Sequence, residues 1–275
     1  MLSLHTNAAA LSTQNALGST QKGLSTSMSR LGTGFRINSA MDDAAGLQIA
    51  TRLNAQSRGM AVAQRNTQNG ISMLQTAEGA LSEVSNMVLR MKDLATEAAN
   101  GTASASDKTA MEAEFNELGN EITNIMTNTS FGGQALLTGG KLAAAVAFQI
   151  GSSAAETYSF DASTELTALD TAITALKAGD LDAAANGAIT LASTTIDAIG
   201  TMRSKLGSGA NRLDHVYNNL ANIRTNTDAA KGRIMDVDYA SETANMTTKQ
   251  MLMQASTSML KQSGSMSQLV MSLMQ

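Results

Sequence analysis

One apolar strip constrains this chain more than any other feature. Stepping by three and four from Gly46 meets Ile49, Leu53, Gln56, Met60, Ala63, Thr67, Gly70, Leu74, Ala77, Leu81, Val84, Val88, Met91, Ala95 and Ala98. The second half of that strip is apolar at every position. A mean step of 3.5 residues lays one seam along a helix, as in coiled-coil packing. At 1.5 Å per residue, the stretch from 46 to 98 would make a rod of roughly 80 Å. Gln56, Thr67 and Gly70 weaken the first half and leave a break there open.

The missing residues agree with the strip. The chain has 275 residues and no Pro, where an average usage of about 5% would supply roughly 14. Proline lacks the N–H donor and clashes with the preceding turn, so long helices exclude it. Aromatic residues are only 3% and Trp is absent, which points to helices packed through Ala, Leu, Ile and Met rather than to a ring-lined pocket.

Local signals bound the long helix. Ser39 with Asp42 reads as a capping box, and Asp42 and Asp43 set negative charge at its positive end. Asn100-Gly101 closes it. A second strip, Met111, Phe115, Leu118, Ile122 and Ile125, predicts a helix folded back on the first. Between 131 and 160 the pattern changes. Gly132-Gly133 and Gly139-Gly140 mark turns, and Val146–Ile150 with Thr157–Phe160 alternate as short strands, the one β segment expected. Helix resumes near Leu166, with a break at Gly179-Asp180. A third strip runs Ile189, Ala192, Ile196, Ile199, Leu206, Ala210, Leu213, Tyr217 and Leu220, with Arg203 at one seam position.

The two ends carry narrower stripes. Ala10, Leu17, Leu24 and Leu31 repeat every seven residues, while Ala244, Met251, Ala255, Met259, Met266, Val270 and Leu273 mark the other end. Isolated helices of this kind are marginal in water. Burying their larger side chains is worth roughly 1.5–3 kcal/mol each, which several copies meeting side by side would supply. Eight of the 18 methionines lie between Met235 and Met274, a flexible filling for a core that tolerates several packings.

Chemistry is hard to find. There is no Cys, and His5 and His215 have no second ligand at metal spacing. Asp42 and Asp43 are adjacent on a helix and point about 100° apart, which suits capping rather than paired acid–base work. No cofactor, metal or catalytic residue is expected, and the chain reads as a non-enzyme. A net charge of −4 argues against nucleic acid. The longest apolar run, Leu142 to Phe148, is too short for membrane insertion, and no Sec-type signal peptide is visible.

The motifs resemble those of bacterial flagellins. The run Arg30-Leu-Gly-Thr-Gly-Phe-Arg-Ile-Asn-Ser-Ala-Met-Asp-Asp-Ala-Ala-Gly46 is similar to the family's N-terminal signature. So are Asn69-Gly-Ile-Ser-Met-Leu-Gln-Thr-Ala-Glu-Gly-Ala-Leu81 and Thr129-Ser-Phe-Gly-Gly-Gln134. At the other end Asp238-Tyr-Ala-Ser-Glu-Thr-Ala-Asn-Met246 and Leu269-Val-Met-Ser-Leu-Met-Gln275 match. The middle lacks the variable insertions of larger members, so the resemblance is to a minimal flagellin, with polar and lateral types both open.

That resemblance implies a mainly α fold. A long antiparallel helical bundle or coiled coil with one small β segment would occupy 41–234. The termini, 1–40 and 235–275, would form a second, inner coiled-coil domain for polymerisation. Its seam would be Leu17, Leu24, Leu31, Met251, Ala255, Met259, Met266, Val270 and Leu273. The implied function is a structural subunit that self-assembles into the flagellar filament for motility. The rival in the same family is a hook–filament junction protein. The implied partners are further copies in a homopolymer, an export chaperone on the C-terminal segment, and filament cap and hook-junction proteins. Arg90 and Leu94, with Glu114, match a motif for recognition by Toll-like receptor 5. Secretion would run through the flagellar export apparatus to an extracellular filament.

Overall fold

A computed structural model of the chain describes residues 7–273, with side chains through Ser265. Its elements run α1 (Ala8–Thr33), α2 (Ala44–Ala98), α3 (Ala105–Asn128), β1 (Ser130–Phe131), β2 (Gln134–Ala135), β3 (Val146–Gln149), β4 (Thr157–Phe160), α4 (Ser163–Lys177), α5 (Leu181–Met235) and α6 (Tyr239–Leu273). The chain divides into two units, Met1–Ala55 with Asn226–Gln275, and Gln56–Thr225. No described helix is long and apolar enough to cross a membrane.

In the central unit, Gln56–Thr225, α2 and α5 run antiparallel. Met60 and Ala63 pack with Leu220, while further along Arg203 Nη2 donates to Glu78 Oε1 at 2.7 Å. From Met60 to Ala98 every member of the first strip is buried. The open question of a break closes, because α2 is one helix of 55 residues. Thr67 turns its hydroxyl back to the Ala63 carbonyl at 2.8 Å, so its polar group is satisfied within the helix. The strip drifts before Met60: Ile49 is exposed, while Ala50 and Ser57 are buried.

The third strip is right at alternate positions only. α5 buries Leu181, Ala185, Ala188, Ala192, Thr195, Ile199, Met202, Leu206, Gly209, Leu213 and Leu220. Ile189, Ile196, Ala210 and Tyr217 sit half-buried on its edge instead of in its centre. Two seams offset by one residue share every second member, and only the neighbouring elements choose between them. α5 also bends at Ala184, which has φ −143° and ψ 40°.

The predicted β segment is two hairpins. β1 pairs with β2 across Gly132-Gly133, and β3 pairs with β4 with Phe148 opposite Tyr158. Both turn glycines have positive φ, 59° and 78°, the backbone that tight hairpin turns require. Phe148, Tyr158 and Phe160 bury their rings in the core, and Arg212 stacks its guanidinium 4.2 Å over the Tyr158 ring. Two helix glycines make room for them. A Cβ on Gly70 would stand 2.9 Å from the Phe148 ring, and one on Gly209 would stand 2.5 Å from the Phe160 ring.

α3 packs Phe115, Ile122 and Met126 into the same core, and α4 adds Leu166, Leu169, Ile173 and Leu176. α3 starts from a capping box formed by Ser104 and Asp107. Ser104 Oγ accepts from the Asp107 amide, and the Asp107 carboxylate accepts from the Ser104 amide. The Ser104 hydroxyl also donates to Asp107 Oδ2 at 2.7 Å, and this bond first, then that from the Ser104 amide, holds the Asp107 carboxyl below its ordinary range.

Candidate assembly surface

The terminal unit, Met1–Ala55 with Asn226–Gln275, is built around the antiparallel pair α1 and α6. Gly34 ends α1 in the left-handed conformation at φ 76°. The following residues bond to the chain entering α6: the Arg36 amide donates to the Met235 carbonyl at 2.6 Å and the Val237 amide to the Gly34 carbonyl at 3.0 Å. Ile37 is buried, with its Cδ1 close against Gly46 at the start of α2.

The Ser39/Asp42 pair makes only one half of a capping box, since Ser39 Oγ accepts from the Met41 amide and not from Asp42, and it folds a turn ahead of the helix and does not start it. Asp42 Oδ2 accepts from the Asn38 and Ser39 amides at 3.0 and 2.9 Å. The α2 cap is the next residue, Asp43, whose Oδ1 accepts from the Gly46 amide at 2.8 Å. The Ser39 and Asn38 amides lower the Asp42 pKa below the ordinary 3.8, and Arg30 adds a small electrostatic contribution.

The helix pair does not bring the two expected stripes together. Leu24 is buried and Leu17 and Leu31 are half-buried, turned toward α6. Met251, Ala255 and Met259 are exposed on the opposite side of α6. The positions of α6 that meet α1 are Glu242, Met246, Lys249, Met253, Ser256, Leu260 and Ser263. The side chains of Met266, Val270 and Leu273 lie outside the described residues. Among the large apolar side chains left exposed in the unit, Met251 is 58% exposed, Leu252 52% and Met259 65% on α6, with Leu11 and Met28 similarly open on α1. A heptad reading of the sequence finds these residues but cannot say which stripe turns inward.

In the central unit, Arg90 and Glu114 meet on the surface at 2.8 Å, with Arg90 Nε and Nη2 both on Glu114 Oε1. Leu94 lies beneath them in the core at 2% exposure, and Leu89 is the exposed apolar neighbour. A groove of about 780 Å³ between α4 and α5 is lined by Ser163, Thr167, Ala168, Thr171 and Thr194 among others, with no titratable side chain. Among the described residues no cluster of three or more His, Cys, Asp or Glu could hold a metal.

Both halves of the chain match one family. The bacterial flagellin N-terminal helical region matches residues 4–141, and the C-terminal helical region matches 189–274. The chain belongs to the bacterial flagellin family. A flagellin of Halalkalibacterium halodurans is 40% identical, with 90% of each chain covered. Flagellin A of Vibrio anguillarum is 33% identical over the whole of both chains. Among solved structures, a putative flagellar hook-associated protein from Vibrio parahaemolyticus shares the fold, with a TM-score of 0.56 at 18% identity. The likeness covers 71% of this chain and all of that one.

Proposed function

We propose that this chain is the self-assembling subunit of an extracellular flagellar filament used for motility. The observation that carries the reading is the exposed apolar side chains on the terminal helix pair. Leu11, Met28, Met251, Leu252 and Met259 are each more than half exposed, each worth roughly 1.5–3 kcal/mol if a neighbouring copy covers it. Such exposure is costly on a solitary protein and useful in a polymer. The terminal helices pack against those of other copies in coiled-coil fashion. Their inner domain is 1–40 with 235–275, and Leu17, Leu24 and Leu31 brace the seam from α1. Met251, Ala255 and Met259, with Met266, Val270 and Leu273, face other copies.

On this reading the chain leaves the cell through the flagellar export apparatus, with a chaperone on its C-terminal segment. It then assembles between hook-junction and cap proteins. Arg90 and Glu114 offer a surface for Toll-like receptor 5, with Leu94 supporting them from the core.

The test is electron microscopy after heat dissociation, cooling and addition of sheared filament seeds. The chain grows long tubes from the seeds. Met259→Asp stops growth while circular dichroism retains the helical signal, because it puts a charge into the contact. Absence of tubes from the unaltered, fully helical chain refutes the filament reading and favours the hook–filament junction role. Normal tubes from Met259→Asp refute the assignment of this surface.

A further inference from the structure

The apolar content of α6 does not explain which way the helix is turned. Among the residues of α6 whose side chains are described, the α1-facing side carries three large apolar groups, Met246, Met253 and Leu260, and the outward side also carries three, Met251, Leu252 and Met259. The two sides are about 140° apart at 100° per residue. Burial at a similar value per side chain would serve either orientation. Something else selects the one observed.

The polar members of the inner face fall every seven residues: Glu242, Lys249, Ser256 and Ser263. Three of them reach across to α1. Arg30 Nη1 stands 3.8 Å from Glu242 Oε2, a long contact that leaves Arg30 Nε and Glu242 Oε1 buried without a hydrogen-bond partner. At the far end Asn7 Nδ2 donates to the Ser263 carbonyl at 3.1 Å, and Ser263 Oγ donates to Asn7 Oδ1 at 3.3 Å.

The middle rung is the best made. Lys249 Nζ donates to Ser27 Oγ at 2.9 Å and to the Gly23 carbonyl at 3.2 Å. Ser27 is fully buried. The Lys249 stem lies over Gly23 so closely that a Cβ there would stand 3.3 Å from its Cε. A residue without a side chain and a buried hydroxyl thus form a seat for one ammonium group. Charge-assisted hydrogen bonds of this kind are the strong ones, and turning α6 would leave the buried Ser27 hydroxyl without this donor.

We propose that Lys249, seated on Gly23 and Ser27, sets the rotational phase of α6 on α1 and so holds Met251, Leu252 and Met259 outward. Lys249 is a positioning residue, and the polar ladder overrides an apolar choice that is balanced. A single buried polar group that specifies pairing at some cost in stability is a known device of helix pairs. The phase itself does not depend on the filament reading. Its consequence, outward methionines kept free for neighbouring copies, does rest on it.

The absence of cysteine from the chain makes the phase directly measurable. Asn7→Cys with Ser263→Cys is expected to form an intrachain disulfide when the inner face of α6 meets α1, where the Asn7 and Ser263 side chains hydrogen-bond at 3.3 Å. The initial rate of this cross-link, read as a monomer-sized shift on a non-reducing gel, is compared in three full-length backgrounds. These are the unaltered chain, Lys249→Leu, and Lys261→Leu, which makes the same replacement at an exposed position of the same helix. Circular dichroism checks that helix content is equal.

The expected result is that Lys261→Leu leaves the rate unchanged while Lys249→Leu lowers it about tenfold, the change that ~1.4 kcal/mol produces. An equal rate in Lys249→Leu overturns the proposal, and so does failure of the pair to cross-link in the unaltered background. Seeded growth is scored separately on the same samples. The expected cross-link pattern without tubes from any variant, including the cysteine-free chain, would refute the filament reading and leave the phase assignment standing.

Discussion

Gly209 tests whether the central unit is organised around the seating of its few rings. Glycine inside a helix costs about 1 kcal/mol relative to alanine, so Gly→Ala stabilises α5 wherever space allows. At Gly200, on the same helix, an added Cβ meets nothing within 4 Å. At Gly209 it would stand 2.5 Å from Phe160 Cε2 and 2.8 Å from Cδ2, with Leu74 Cδ1 at 3.3 Å. The Phe160 ring cannot simply step aside. It is 2% exposed and meets Tyr158 edge-on, with centroids 6.4 Å apart. Overpacking a filled site costs roughly 1–3 kcal/mol, which offsets or exceeds the gain in helix propensity. Gly200→Ala is therefore expected to raise stability by ~1 kcal/mol, and Gly209→Ala to fall about 1–3 kcal/mol below it. For a unit of this size that separates their melting temperatures by roughly 2–4 °C per kcal/mol. Thermal unfolding followed by circular dichroism at 222 nm makes the comparison. The reasoning is refuted if Gly209→Ala raises the midpoint as much as Gly200→Ala does.

Other expectations follow from the same structure. Leu81→Ala, at a fully buried position of α2, should lower stability by about 2–5 kcal/mol in urea unfolding, and a loss under 1 kcal/mol would mean that the seam is not packed as described. The Asp42 pKa is depressed in the folded chain. Its contribution is therefore fully present above the ordinary aspartate value of 3.8 and is lost as pH falls from there through the lower folded value. Amide exchange at Asn38 and Ser39, corrected for the intrinsic pH dependence of exchange, should show protection falling across that window. In Asp42→Asn protection should already be low at neutral pH and show no such step; an unchanged profile would remove the carboxylate from the turn.

Much of the architecture was legible because periodicity and exclusion act locally. A chain without proline and with an unbroken apolar seam from Leu74 to Ala98 has few alternatives to helix. The paired flagellin motifs supplied the family on residues that fold into turns and caps, such as Asn38 to Asp43. The first half of α2 was harder to read, because Thr67 and Gly70 appear as defects until Thr67 is seen to satisfy itself on Ala63 and Gly70 to seat Phe148. At the assembly surface, the sequence stripe through Met251 and Met259 located real apolar residues, but their direction depends on Lys249, a residue the stripe omits.

Sequence alone determined the helical class, the hairpin turns at glycine and the family, because dihedral preferences, heptad spacing and long motifs are properties of neighbouring residues. Only the tertiary structure decided which face of a helix is the inner one. It moved the α5 seam by one residue at alternate positions, sent Leu94 into the core beneath Arg90 and Glu114, and turned the α6 methionines outward. The physical reason is the same in each case. Two apolar stripes on one helix offer nearly equal burial, so distant partners settle the orientation: a ring that needs a glycine, an arginine that needs a carboxylate, and a lysine that needs a buried hydroxyl.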